Sequence, residues 1–437
     1  MAKRYVFWRM PTGQPYKKDD LKFAPHFLLA KMGESAKLNT NDGITWPFLD
    51  MFQNELIVRS VTVVLDPDGN ELNETDSWLI ASQAIRTVIS KQGSGKPILP
   101  SDFIASGDKV AAAYFRQSVV DYILLTSLSV ENLPARRIRI CDCEISALAN
   151  RGKYTFPESL TIRRHDPPFS KHLKSTKYLA IAVRTSGRSE FEATDKALDA
   201  INLLRGLWTL FSTRGQWTMR MGSTKQIPIG VIHMGPVHTL HQLDGSPAVD
   251  KFWYEPSYSG DMKLYKPKGG WKSLEKLRQR AVRQMKHLPF GAEVERLIMR
   301  YIESLDQVNL DVAFVQMWSI LEKVTDTIGA NYDETIQRAT WIFKDRENAK
   351  EKLKFLRVQR NQYIHSAKTS ENNDQAAYMV KSFIDPHLVR LISNEFEVDS
   401  IAEYGKFLAL PTNISTLEKH RDQIKRAIHI RKPRESS

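Results

Sequence analysis

The stretch VERLIMRYIESLDQVNLDVAFVQMWSILEKVTD, residues 294–326, decides the fold of the C-terminal part of this chain. Val294, Leu297, Ile298, Tyr301, Ile302 and Leu305 recur at i, i+3, i+4, i+7 spacing, and Leu310, Phe314, Met317, Leu321, Val324 and Ile328 repeat the rhythm. A 3.6-residue turn puts such positions on one stripe, so the spacing predicts two amphipathic helices joined by a short loop and packed antiparallel. A third helix is expected over about 347–364 and a fourth over about 375–397, with Pro386 kinking or dividing the fourth because its ring removes a backbone donor. Together they make a helical bundle over 289–400, followed by a basic extension, 401–437, frayed at its end.

Upstream, Lys263 to Lys286 holds nine cations against one acid, Glu275. KPKGGWKS reads as a linker and the run after it as a basic helix, so 263–288 separates the bundle from residues 1–262. That first region reads as mixed α and β. ELIVRSVTVVLD is strand-like and closes on the turn Pro67-Asp68-Gly69-Asn70, giving a hairpin; RRIRICDCEI, KYLAIAVRT and IPIGVIHMGPVHTLHQL are further strand candidates. Ala193, Ala197, Ile201, Leu204 and Trp208 mark an amphipathic helix starting near Ser189 or Thr194. The fold class is therefore an α+β N-terminal domain followed by an all-α helical bundle.

The 437 residues allow two or three domains, and 42% hydrophobic with 26% charged residues exclude wholesale disorder and a fibrous repeat. Two cysteines, Cys141 and Cys143, exclude a disulfide scaffold and suit a reducing compartment. The first residues lack a signal-peptide core and no apolar run reaches the ~20 residues of a membrane span, so a cytoplasmic protein without a membrane partner is expected. The net charge of +13 attracts polyanions, RNA and DNA among them.

The chemistry concentrates in LKFLRVQRNQYIH, residues 353–365. Leu353, Leu356, Arg360 and Tyr363 or Ile364 share one helical stripe, so Arg360 stands among apolar positions. A buried guanidinium needs a partner: either an acid such as Glu322 or an anion at a cleft or interface. Asn361 and His365, four apart, share a face, whereas Arg360 and His365 stand about 140° apart on a continuous helix. Those two converge if the helix ends between them or if a second copy brings its own pair.

Arg360-Asn361-x-x-x-His365 in the third helix of a C-terminal bundle resembles the RNxxxH motif of the HEPN superfamily, and VAFVQMWSILEKVTD, with Trp318 and Glu322, is similar to the preceding helix of its ApeA-like branch. The resemblance covers about 289–400, and Arg-x4-His occurs nowhere else in the chain. It implies a metal-independent endoribonuclease without a cofactor, acting on RNA as a homodimer or higher oligomer. It further implies an anti-phage defence or toxin effector with a phage-derived trigger or an antitoxin. It assigns His365 the proton transfer, Arg360 the transition-state charge, Asn361 the imidazole or substrate, and Glu322 a positioning or tuning role. The rival is a non-catalytic nucleic-acid-binding or regulatory adaptor that keeps the bundle for dimerisation. Lys272, Lys276, Arg280, Arg283 and Lys286 are the expected nucleic-acid contacts, with Tyr265 and Trp271 as stacking aromatics and 416–434 as a second basic segment.

Other signals carry less. QGSGKP, residues 92–97, lacks the glycine and hydroxyl residue of a phosphate loop. Cys141-x-Cys143 on one strand face has no second ligand pair for zinc. His233, His238 and His241 read as surface or RNA-facing side chains rather than metal ligands, since His238 points away from the other two in a continuous strand.

Overall fold

The helices expected from the 294–326 periodicity are present in the computed structural model, which describes residues 3–9, 15–16, 25–38, 44–45, 62–69, 71–93, 95–148, 177–213, 227–250, 252–329, 332–366 and 373–431. The chain divides into two compact units: residues 1–124, 183–198 and 240–251, and residues 125–182, 199–239 and 252–437. The division is interleaved along the sequence, and 263–288 lies inside the second unit.

In the first unit β1 (Val6–Arg9) pairs antiparallel with β2 (Pro15–Tyr16) and β5 (Thr62–Val64), and β3 (Lys37–Leu38) pairs with β4 (Ile44–Thr45). The 55–66 strand is described from residue 62 onward, its earlier part lying outside the described residues; Gly69, at φ 89°, turns it back so that Leu65 bridges Glu71. Helices α1 (Pro25–Ser35), α2 (Glu74–Gln92) and α3 (Pro100–Phe115) complete the unit. Asn73 caps α2 by accepting from the Asp76 N–H, and proline at the first position of α3 lacks only a donor the helix would leave unpaired. Val6, Val64, Ile80, Ile85, Ile89 and Phe103 form the core. Gly107 admits β1, because a Cβ there would stand 2.8 Å from Val6. A buried knot joins Asp76, Tyr114, Ser189 and Glu192: the Tyr114 hydroxyl lies 3.0 Å from Asp76 and 3.1 Å from Glu192, and Ser189 donates to Asp76 at 2.8 Å. Burial beside these two acids pushes the Tyr114 phenol upward.

Six strands form a second sheet in the order β11-β10-β6-β9-β8-β7, from β6 (Val120–Leu128), β7 (Ile138–Ile140), β8 (Cys143–Ala147), β9 (Leu179–Gly187), β10 (Val237–His241) and β11 (Trp253–Tyr254). RRIRICDCEI is not one strand but the β7–β8 hairpin. Cys141 and Asp142, at φ 48° and 58°, make its two-residue turn, the left-handed pair that matches strand twist. Cys141 and Cys143 therefore do not share a strand face. IPIGVIHMGPVHTLHQL is regular only at 237–241, where every residue is buried, and His238 and His241 are core rather than surface groups. His238 Nδ1 lies 2.8 Å from Thr126 Oγ1, and burial holds the ring down at about 4.

Helix α4 (Glu190–Thr213) starts at Ser189, whose hydroxyl accepts from the Glu192 N–H at 2.9 Å. The second unit then adds α5 (Trp271–His287), α6 (Gly291–Leu305), α7 (Leu310–Val324), α8 (Tyr332–Ala339), α9 (Arg346–Ser366), α10 (Asn373–Ser393), α11 (Ile401–Leu408) and α12 (Ile414–Arg431). The described chain thus has an α+β N-terminal region and a helical C-terminal region. Helix α7 ends at Val324, leaving Ile328 exposed in the following turn. Pro386 does not divide α10, which runs unbroken and packs most extensively on α7; one lost backbone bond is small beside that burial. The basic extension forms α11 and then α12, which has no buried residue, as far as residue 431; its end, where fraying is expected, lies outside the described residues.

Polar groups inside the second unit are matched over long separations. Arg205, 1% exposed, is ion-paired with Asp306 and takes Asn202 Oδ1 on its Nη2 at 2.7 Å. Lys381 and Asp385, four apart on α10, pair at 2.6 Å, and Tyr301 donates to the same carboxylate at 2.7 Å. His387 Nε2 donates to the Ala339 carbonyl at 3.0 Å while Nδ1 accepts from the Tyr404 hydroxyl at 2.8 Å. Complete burial holds that ring at about 4.

Candidate functional site

Helix α9 positions the Arg360 motif, and its two faces differ sharply. Leu353 and Leu356 are fully buried, with Arg360 and Tyr363 half-buried on the same stripe. On the other side Phe355 and Val358 are 55% and 50% exposed. At about 100° per residue, Val358, Asn361 and the position of His365 fall within roughly 60° of one another, with Phe355 beside them. The helix runs unbroken to Ser366, so Arg360 and His365 remain about 140° apart on one copy. The side chain of His365 lies outside the described residues.

Arg360 has an aromatic partner rather than an acidic one. Its Cζ stands 5.0 Å from the ring centre of Tyr332, the first residue of α8, within cation–π range. Its Nη1 lies 3.3 Å from Asn361 Oδ1, and its buried Nε has no partner among the described residues. Glu322 does not receive it: the Glu322 carboxylate accepts from Trp318 Nε1 at 2.8 Å, one turn back on α7. Trp318 in turn meets Tyr332 edge-on at 6.4 Å. Glu322, Trp318, Tyr332, Arg360 and Asn361 therefore form one linked cluster, but no carboxylate among the described residues pairs with Arg360. A half-buried cation with an orphan donor retains capacity for an anion. Nothing in the spacing of the sequence marks Tyr332 for this place. Phe355 and Val358, by contrast, are readable as apolar residues off the buried stripe.

On α5 the basic residues sort by face. Lys272, Lys276, Arg280, Arg283 and Lys286 are all exposed and fall within about 120° of arc, whereas Arg278 is buried and ion-paired with Glu275. Glu275 also accepts from Trp208 Nε1 at 3.3 Å, and Arg278 reaches the Arg139 carbonyl at 3.2 Å. Tyr265 and Trp271 are not laid out for stacking: Trp271 packs on Trp208 at 4.9 Å and on Tyr265 at 5.9 Å. The second basic segment is the exposed α12, and residues 432–434 lie outside the described residues.

After α2, Gly93 and Gly95 adopt φ of 85° and 75° in a turn where Gln92 Nε2 donates to the Lys96 carbonyl at 3.0 Å. Among the described residues no group of three or more His, Cys, Asp or Glu side chains is arranged to hold a metal ion, and no helix is long and apolar enough to cross a membrane. No protein-family model, no curated protein and no solved structure matches this chain.

Proposed function

We propose that the chain is a metal-independent endoribonuclease of HEPN type, working as a homodimer in which two copies of α9 meet and serving as an anti-phage defence or toxin effector. The observation that carries the reading is Arg360, half-buried on a tyrosine face, with no acid paired to it among the described residues and with an orphan buried donor. It stands immediately before Asn361 and one helical turn and a half before His365. Exposed Phe355 and Val358 support the dimer, since they share the outward face with Asn361 and the His365 position and would be covered by a second copy.

In the reaction His365 takes the proton of a ribose 2′-OH, O2′ bonds to phosphorus and the P–O5′ bond breaks. The proton returns through the imidazolium or water to the leaving 5′-oxygen, giving a 2′,3′-cyclic phosphate and a 5′-hydroxyl. Arg360 binds the charge that accumulates on the phosphoryl oxygens, and Asn361 orients the imidazole or the substrate. Glu322 acts indirectly, fixing Trp318 and through it Tyr332 under the guanidinium. The exposed α5 stripe, Lys272 to Lys286, draws the RNA backbone without reading sequence.

The adaptor reading keeps one specific support, the inward position of Arg360 and its distance around the helix from His365. Incubating purified protein and its Arg360→Ala and His365→Ala variants with single-stranded and transfer RNA in EDTA separates the two. Wild-type cleavage leaving cyclic phosphate ends, lost in both variants, is the expected result. Equal residual activity in all three overturns the site assignment, and an RNA-binding dimer without cleavage favours the adaptor.

A further inference from the structure

A second candidate, which uses no residue of α9, lies in the second unit at the base of the β7–β8 hairpin. The segment 129–137 is held at its start by Tyr265: Tyr265 N donates to the Ser129 carbonyl at 2.7 Å and Glu131 N to the Tyr265 carbonyl at 3.3 Å. Pro134 then stiffens the approach to β7. Between this segment, β8 and the start of β9 is a groove of about 500 Å³ whose lining includes Leu133, Ala135, Arg136, Arg137, Ser146 and Leu179. That volume lies in the ~300–1,000 Å³ range of small-molecule sites.

The hairpin register fixes the polar face. Ile138 pairs with Ile145 and Arg139 with Glu144, so the same register one residue further sets Arg137 opposite Ser146. Glu144 is shared between Arg137 and Arg139, at 3.3 and 3.5 Å from their Nε atoms. Arg136 pairs with no acid among the described residues. The lining itself carries two arginines, Arg136 and Arg137, and no acid, a pair of guanidinium groups suited to a phosphomonoester dianion. A guanidinium fork with a serine hydroxyl matches phosphate oxygens, while Leu133, Ala135 and Leu179 offer an apolar wall to the rest of a ligand.

We propose that this groove binds a small phosphomonoester with a flat or apolar body, of mononucleotide size, with Arg136 and Arg137 on the phosphate. The inference stands apart from the ribonuclease reading, for it uses no residue of α9. Isothermal titration calorimetry of the full chain at low salt, with AMP and phenyl phosphate against inorganic phosphate and adenosine, tests it. One or both phosphomonoesters should bind at least ten-fold more tightly than either inorganic phosphate or adenosine. Arg136→Ala should weaken that binding at least ten-fold with an unchanged melting temperature, because Arg136 is exposed, while Lys268→Ala leaves it unaltered. Inorganic phosphate binding as tightly as both esters would reduce the site to an anion patch and overturn the proposal. So would adenosine matching AMP, undiminished binding by Arg136→Ala, or no binding by either ester.

Discussion

His387 makes the second unit acid-labile by an amount that can be worked out from its surroundings. The ring is completely buried, with the Ala339 carbonyl taking the Nε2 proton and the Tyr404 hydroxyl donating to Nδ1. That arrangement needs the neutral imidazole, and burial, aided by the charge of Arg390, holds the folded-state value near 4 against an ordinary 6.5. Between those values the unfolded chain binds a proton that the folded chain refuses, so stability falls as pH drops from about 6.5 towards 4. At pH 5 the difference is about 2 kcal/mol, from one proton and the separation of the two pKa values. His387→Gln should be less stable than wild type at pH 7.5, since a buried hydrogen bond is lost, but the gap should shrink by about 2 kcal/mol at pH 5. Urea unfolding followed by tryptophan fluorescence at both pH values measures this. Comparing variant with wild type cancels Asp199, Glu295 and Glu303, which burial raises and which act in the opposite direction on acidification. A gap that stays constant between pH 7.5 and 5 would refute the reasoning.

Four other variants probe the packing and the proposed chemistry. Lys381→Ala removes the cation paired with the buried Asp385 carboxylate and should cost about 3–5 kcal/mol in urea unfolding. Phe355→Asp should turn the proposed dimer into a monomer in sedimentation without lowering the melting temperature of the chain, because that ring is already 55% exposed. Tyr332→Leu removes the ring under Arg360, worth about 0.5–1 kcal/mol to the guanidinium, and should lower the rate of RNA cleavage more than RNA affinity. Replacing Lys272, Lys276 and Arg283 by Ala together should flatten the dependence of log affinity on log salt, as read by fluorescence anisotropy. The slope for single-stranded RNA should fall by about 0.7 for each phosphate that the protein no longer neutralises.

What the sequence discloses here depends on the range of the interaction that shapes each element. Helices α6 and α7 are legible because their burial follows the 3.6-residue period of the helix itself. The β7–β8 hairpin is not, because its turn is Cys141-Asp142 where such a turn ordinarily carries asparagine or glycine, and the apolar pattern carries a single strand through it. Helix α8 is a short polar segment without a long apolar stripe to announce it, yet it carries Tyr332 to Arg360. At the candidate site, the stripe position of Arg360 emerges from local periodicity, whereas its partner does not. Glu322 is a suitable acid by type, but Trp318 stands four residues earlier on the same helix and its indole N–H reaches the carboxylate first. The buried Arg205–Asp306 pair joins residues 101 apart in sequence and leaves no pattern at all. Adjacency misleads in the opposite way on α9: Arg360 and Asn361 are neighbours in the chain, yet one lies on the buried stripe and the other shares the face of exposed Phe355 and Val358. The Arg360 guanidinium still reaches Asn361 Oδ1 at 3.3 Å, whereas the His365 position lies about 140° around the unbroken helix. In the proposed enzyme a joint use of Arg360 and His365 therefore requires a substrate or a second chain that reaches across the helix, so dimerisation and anion binding at this motif stand or fall together.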